Sequence, residues 1–316
     1  MLEIRRLRLL RELATRGTVA AAAQACSLTP SAVSQQLAVL EREVGVALLV
    51  RDGRRLRLTD ATLLLVEHTE RILADLEEAS SDVAALAGTA RGTVSGTVRL
   101  AAFPSAARAL VPDAIAACRA RHPDLRVLLR EYETAEAVDA LKARTVDVAI
   151  VYEYSLLPAL ADAGVVLRPL LREPLLCVVP AGFRPDDTPL PLGLLRDERW
   201  VAPSSDTELR TVLERACNQA GFSPELDYAS DDYTVILALV EAGLGVSLVP
   251  RLALESQDVH LTVAVPADLA LHRRVLLATR AGGTRHPAVA AVSAALTEVA
   301  SRMPDAEPAT GGAGRG

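Results

Sequence analysis

Three things are scarce in this 316-residue sequence: lysine, represented only by Lys142, long apolar runs, and cysteines in pairs. The lysine deficit, set beside abundant arginine and alanine, reads as genomic base composition. No stretch reaches the roughly 18 to 20 uncharged apolar residues that a spanning helix needs, so a soluble chain without a membrane partner is expected. Cys26, Cys118, Cys177 and Cys217 lie too far apart for a CxxC or Cys/His ligand set. Buried free thiols are therefore expected, with no metal, disulfide framework or cofactor. The charged opening through Glu12 leaves no signal-peptide core, which places the expected site of action in the cytoplasm. Catalysis finds no constellation either. His68 falls in a long helical stretch, His122 and His286 precede prolines, His260 and His272 flank strand-like runs, and no nucleophile elbow or phosphate loop accompanies them, so no enzyme is expected.

The length calls for two or three folding units. A net charge of −6 argues against a nucleic-acid partner until its distribution is read. Arg5, Arg6, Arg8, Arg11, Arg16, Arg42, Arg51, Arg54, Arg55 and Arg57 outweigh six acids within residues 1–60, which carry +4 and leave −10 for the remainder. A basic end on an acidic body is the asymmetry of a chain with one domain on DNA.

Leu7, Leu10, Leu13 and Ala14 mark an amphipathic helix ended by Gly17, and Thr18 caps a short alanine-rich one. Thr29-Pro30 opens a third, since a hydroxyl cap followed by fixed-φ proline suits a helix start. Its buried stripe is Val33, Leu37, Leu40 and Val44, stopped by Gly45. Ser31, Ser34, Gln35, Ala38 and Arg42 form the opposite face, with Gln36 beside them. Small and hydrogen-bonding side chains there suit a recognition helix in a major groove, although an ordinary solvated face looks the same by itself. Context decides: a strand at 47–50, an Asp52-Gly53 turn and the alternating Arg55-Leu56-Arg57-Leu58 make a wing. Arg51, Arg54 and Arg55 at its tip are candidates for phosphate contact.

The order of these elements, with SAVSQQLAVLEREVG and the arginine wing ending in Leu58-Thr59, closely resembles the LysR-type family of bacterial transcription regulators. Leu49 stands where that family usually has an aromatic residue, and Thr62 where it usually has glycine. Both departures concern packing.

From Thr59 a helix is expected to run to about Ala87 and to break at Gly88. Two heptad series lie on it, Thr69, Leu76 and Val83, and Leu65, Ile72, Ala79 and Leu86. They predict helix pairing, and the resemblance implies a homodimer or homotetramer, whose paired recognition helices gain affinity on double-stranded DNA.

The expected division is a winged helix-turn-helix over 1–60, a linker helix over 61–88, an effector-binding domain over 89–302 and a disordered Pro/Ala/Gly tail over 303–316. Beyond residue 97, strand-like runs near 97–102, 125–129, 146–151, 175–179, 226–229 and 246–249 alternate with helical ones, including 106–121, which predicts an α/β body with largely parallel strands. Gly243 and Gly245 bracket the turn before the last of these runs. Residues 97–300 resemble the family's effector domain, a relative of periplasmic solute-binding proteins. That implies two α/β lobes, 97–167 with 274–302 and 170–272, joined by crossings near Val165–Leu171 and Leu271–Val275.

Ligands in such sheets bind beyond the carboxyl ends of strands. Phe103-Pro104-Ser105, Ser204-Ser205-Asp206-Thr207 and Ser230-Asp231 each follow a strand and start a helix, and Tyr152 and Ser247 lie at strand ends. The serines and aspartates also suit plain N-caps. Glu131, Glu133, Glu153, Asp206, Asp231 and Asp232 fall at the same ends, which disfavours a multiply charged anion and points to a neutral, amine-bearing or aromatic small-molecule effector. The expected mechanism is a population shift: the effector alters lobe closure and hence how the winged helices sit on DNA, with RNA polymerase a possible partner. A solute-binding sensor and a cysteine-based redox regulator are the alternatives.

Overall fold

The computed structural model describes residues 2–52, 55–91, 94–162, 164–183, 189–255, 257–258 and 260–303. Three helices open it, α1 (Ile4–Arg16), α2 (Val19–Ala25) and α3 (Pro30–Val44), followed by the antiparallel strands β1 (Leu49–Asp52) and β2 (Arg55–Leu58). The Thr18 hydroxyl accepts from the Ala21 amide at 3.2 Å, and the Thr29 hydroxyl accepts from Ala32 at 3.2 Å. Leu10, Leu13, Ala22, Val33, Leu37 and Leu40 close the core between the helices, where alanines let α2 approach closely. Thr62, in place of a glycine, is fully buried, and its hydroxyl donates to the Leu48 carbonyl, tying the linker to the wing.

The linker, α4 (Asp60–Arg91), is longer than expected and passes straight through Gly88. One glycine inside an alanine-rich helix costs only about 1 kcal/mol, too little to end it. The heptad reading also needs correction. Thr69 is buried against its own chain, donating to the Leu65 carbonyl at 2.7 Å, and Leu65 packs on the core of the first three helices. Ile72, Leu76, Ala79 and Val83 are the exposed members, and the side chain of Leu86 lies outside the described residues. So does the tail over 304–316.

The body contains β3 (Gly96–Ala102), α5 (Pro104–Ala109), α6 (Val111–Arg121), β4 (Leu125–Glu131), α7 (Thr134–Lys142), β5 (Val148–Tyr154), β6 (Val165–Pro180), β7 (Arg199–Ala202), α8 (Glu208–Gln219), β8 (Glu225–Ala229), α9 (Tyr233–Glu241), β9 (Ser247–Pro250), β10 (Leu261–Ala264), β11 (His272–Arg280) and α10 (Pro287–Ala300). The helix expected over 106–121 is two, divided at Leu110 where Pro112 opens α6.

The sheet is mixed, not largely parallel. β4, β3 and β5 run parallel, but β11 pairs antiparallel with both β5 and β6, and β9 and β10 pair antiparallel with β6. The reason is that β6 and β11 pass between lobes in opposite directions. β6 pairs with β11 as far as Pro174 and with β9 from Leu175, so the chain changes lobe between those two residues. In lobe I, α6 and α10 cover the sheet around Leu100 and Leu296; in lobe II, Trp200 and Leu213 centre the core.

Gly245 lets β7 and β9 meet, because a Cβ there would sit 2.6 Å from the Arg199 carbonyl oxygen. A backbone atom cannot swing aside, so Gly245→Ala should destabilise lobe II by about 1–3 kcal/mol. Denaturant unfolding followed by Trp200 fluorescence measures the loss.

Candidate functional site

The carboxyl ends of the parallel strands converge on one cleft between the lobes, a cavity of about 450 Å³. Lobe I supplies Phe103, Pro104 and Ser105 after β3, Glu133, Thr134 and Glu136 at the start of α7, and Tyr152 and Tyr154 from β5. Lobe II supplies Pro203, Asp206, Thr207 and Glu208 before and within the first turn of α8, and Asp231 and Tyr233 at the start of α9.

Arg273 forms the floor and is 1% exposed. Its Nε donates to Glu173 Oε1 at 2.7 Å and its Nη2 to Ser105 Oγ at 3.0 Å, while its guanidinium carbon lies 4.6 Å from the Phe103 ring centroid and 5.4 Å from that of Tyr152. Glu173 in turn accepts from the Leu252 amide of lobe II at 2.6 Å. Burial opposes the charge on Arg273, but Glu173 with the Tyr154 and Tyr233 hydroxyls more than offsets it and holds the guanidinium protonated. Burial likewise pushes the Tyr152, Tyr154 and Tyr233 hydroxyls above the ordinary phenol range, so they remain neutral. Glu208 is raised by partial burial and then by the Glu133 and Glu153 carboxylates facing it from lobe I.

Of the expected ligand residues, Phe103, Pro104, Ser105, Tyr152, Thr207 and Asp231 line this cleft. Ser204, Ser205 and Ser230 do not. Ser204 is engaged by Asp231, which accepts from both its amide and its hydroxyl at 2.9 Å, and Ser230 Oγ accepts from the Asp232 amide. Ser247 is wholly buried on β9 and is not among the residues lining the cleft, because all four residues of that strand are buried within lobe II. Among the acids, Glu153 is turned to Arg274 at 2.6 Å and Asp232 caps α9 through the Thr234 amide. Arg273, Tyr233 and Glu208 were missed. The signal for Arg273 was its slot in β11, two residues before Val275 and four before Leu277 on the inward-facing alternation.

At the other end of the molecule, Ser31, Ser34, Gln35, Ala38 and Arg42 are exposed together along α3, with Thr18, Thr29 and Pro30 exposed at the helix starts. Gln36 turns the other way, its Oε1 accepting from Arg6 Nε at 3.0 Å and so joining α3 to α1. Arg51 and Arg55 stand on the wing strands, and Arg54 lies outside the described residues.

The two sites are connected within the chain. Arg11 of α1, 7% exposed, donates from Nη2 to the carbonyl of Lys142 at 2.9 Å and lies beside Glu12 and Glu70. Lys142 ends α7, whose first turn lines the cleft.

An exposed reading helix with a wing, carried on a long helix from a two-lobed sensor, defines a DNA-binding regulator with an effector domain. Residues 4–62 match the bacterial regulatory helix-turn-helix protein, lysR family, and residues 91–301 match the LysR substrate binding domain. Similar proteins include the transcriptional dual regulator GltC of Bacillus subtilis (strain 168), 28% identical over 278 residues covering 87% of this chain and 89% of that protein. The regulator CbbR of Xanthobacter flavus is 32% identical over 289 residues, 89% and 83% of the two chains. A probable hydrogen peroxide-inducible genes activator of Streptomyces viridosporus is 28% identical over 291 residues, 90% and 89%. Among solved structures, a full-length OxyR variant from Pseudomonas aeruginosa superposes with a TM-score of 0.60 at 22% identity over 94% and 98% of the chains, and full-length CbnR in complex with its target DNA with 0.54 at 24% over 95% and 100%. At that identity the structures show the fold alone. The chain belongs to the LysR family of transcription regulators, which are not enzymes.

Removing one partner of the buried hinge pair leaves the other charge stranded. Arg273→Met should therefore cost about 3–5 kcal/mol, and Arg273→Met with Glu173→Leu should recover much of it. Thermal unfolding of the three proteins tests both statements.

Proposed function

We propose that this regulator acts in the cytoplasm as a homodimer or homotetramer on operator DNA, and that a small molecule in the interlobe cleft controls how it sits there. In this reading residues 1–60 read DNA, the helix from residue 61 pairs subunits through Ile72, Leu76, Ala79 and Val83, and residues 89–302 sense the effector. Ser31, Ser34, Gln35, Ala38 and Arg42 face base edges, where glutamine suits adenine. Thr18, Thr29, Pro30, Arg51, Arg54 and Arg55 hold the backbone. Phe103, Pro104, Ser105, Tyr152, Thr207 and Asp231 contact the effector, and RNA polymerase is met from the DNA-bound state.

α7 carries this reading. Its first turn lines the cleft and its last carbonyl receives Arg11 of the DNA-reading unit, so a helix that moves as the lobes close shifts α1 with it. A redox trigger, which the peroxide-related names of some relatives raise, finds little support in the thiols. Burial first, with Cys217 and Asp268 adding for Cys177 and Glu214 for Cys217, pushes both groups up to about 12, so neither is a thiolate at neutral pH.

Gel shifts with the intact protein test the reading. Gln35→Ala should weaken operator binding by about 1–3 kcal/mol and leave non-specific DNA unaffected. Arg54→Ala should weaken all sequences alike and lower the salt slope by about 1. Equal losses from both substitutions on every sequence would remove the base-reading assignment, and no DNA binding by the intact chain would remove the proposal.

A further inference from the structure

The cleft is chemically one-sided. Five carboxylates line it, Glu133, Glu136, Asp206, Glu208 and Asp231, against one cation, Arg273. That cation is already neutralised by Glu173, holds Ser105, and has Phe103 and Tyr152 rings against its guanidinium. Among the described residues none of the five carboxylates makes an ion pair with the protein.

The donors that would greet an anion on the lobe II side are also occupied. The Ser204 amide and hydroxyl both go to Asp231, the Arg210 amide goes to Thr207 Oγ1, and the Thr234 amide goes to Asp232. A bound carboxylate or phosphate would thus compete with the Asp231 and Asp232 carboxylates and the Thr207 hydroxyl for these groups. It would also meet five like charges on the cleft walls. A neutral ligand escapes the repulsion but leaves the facing carboxylates to oppose each other. Glu133 enters the cavity from the start of α7 in lobe I and Glu208 from the start of α8 in lobe II, and the Glu208 carboxyl is raised by partial burial and then by Glu133 and Glu153.

Resting on the reading of this cleft as the effector site, we propose that the effector is an organic amine. Its ammonium group lies between Glu133 and Glu208, and its apolar body lies against Phe103, Tyr152 and Pro203. A cavity of about 450 Å³ is within the range of small-molecule sites and admits a body of one aromatic ring. Charge then supplies the differential affinity that a population shift requires. With the cleft empty, like charges hold the lobes apart; with a cation between them, closure brings both carboxylates onto one ammonium. Glu153 does not compete for it, being held by Arg274 and the Leu160 amide.

Calorimetry on the intact chain with three probes of matched size tests the proposal: 2-phenylethylamine, 3-phenylpropanoate and 3-phenylpropan-1-ol. The amine should bind at least tenfold more tightly than the other two. Glu208→Gln and Glu133→Gln should each weaken it about tenfold, the loss expected from one charge-assisted hydrogen bond. Asp113→Asn, at an exposed acid on α6 remote from the cleft, should not. Both cleft substitutions are at exposed positions, and circular dichroism confirms that the variants fold. Equal or tighter binding of the acid or the alcohol, no binding by any probe, or amine binding indifferent to Glu133 and Glu208, overturns the amine assignment. Tight, Glu208-dependent amine binding that leaves the operator footprint unchanged at saturation upholds the amine site and overturns instead the effector reading on which it rests.

Discussion

The ion pair between Glu173 and Arg273 is the constraint on which the regulatory body depends. The two residues face each other across β6 and β11 where the chain passes between lobes. Each also reaches outward, Glu173 to the Leu252 amide of lobe II and Arg273 to Ser105 of lobe I. Two charges removed from water contribute little net stability, but losing one strands the other, so the crossing is held in one arrangement. That arrangement sets the cleft floor and the separation of the carboxylates on its walls. Because the pair satisfies itself, it adds no net charge to the cleft, and the acidic walls determine the electrostatic character of the site.

A second junction relates the sensor to the DNA-reading end. Arg11 and Glu12 are both 7% exposed although they lie on the outer turn of α1, because α4 and the end of α7 cover them. Glu70 of α4 shares this node, and partial burial, ahead of the nearby charges, raises its carboxyl. A polar contact of this kind is more readily rearranged than an apolar core, since its partners can exchange for water as the surfaces separate. It is therefore a suitable joint between units whose relative placement, in the proposed function, shifts with the effector.

How much was legible in the sequence follows the range of the interactions. The first three helices could be read residue by residue, because Thr18, Thr29, Gly17 and Gly45 act on amides within a turn of themselves and the leucine spacing repeats locally. The heptad positions were read less well. Periodicity marks a buried stripe but not its partner, and Thr69 and Leu65 turned out to face their own chain. Strand direction was not legible either: nothing local in β6 or β11 says that they run against each other. Ser247 and Arg273 show the same limit from opposite sides, one a polar residue at a strand end that points into a core, the other a charge in an apolar strand that forms the floor of a site.

The sequence by itself determined the DNA-reading element, its charge asymmetry against the acidic body and the long helix, since each of these is written in short-range spacing or in composition, while the two-lobed class of the sensor came only with the family resemblance. Only the tertiary structure decided what the cleft contains. Its walls come from six separate segments between Phe103 and Arg273, and whether an acid faces the ligand, caps a helix or pairs with an arginine depends on which neighbours the fold brings within hydrogen-bonding distance. Glu153, Asp232 and Glu208 are all carboxylates in the sequence. Their environments differ, and those environments exist only once the lobes are joined.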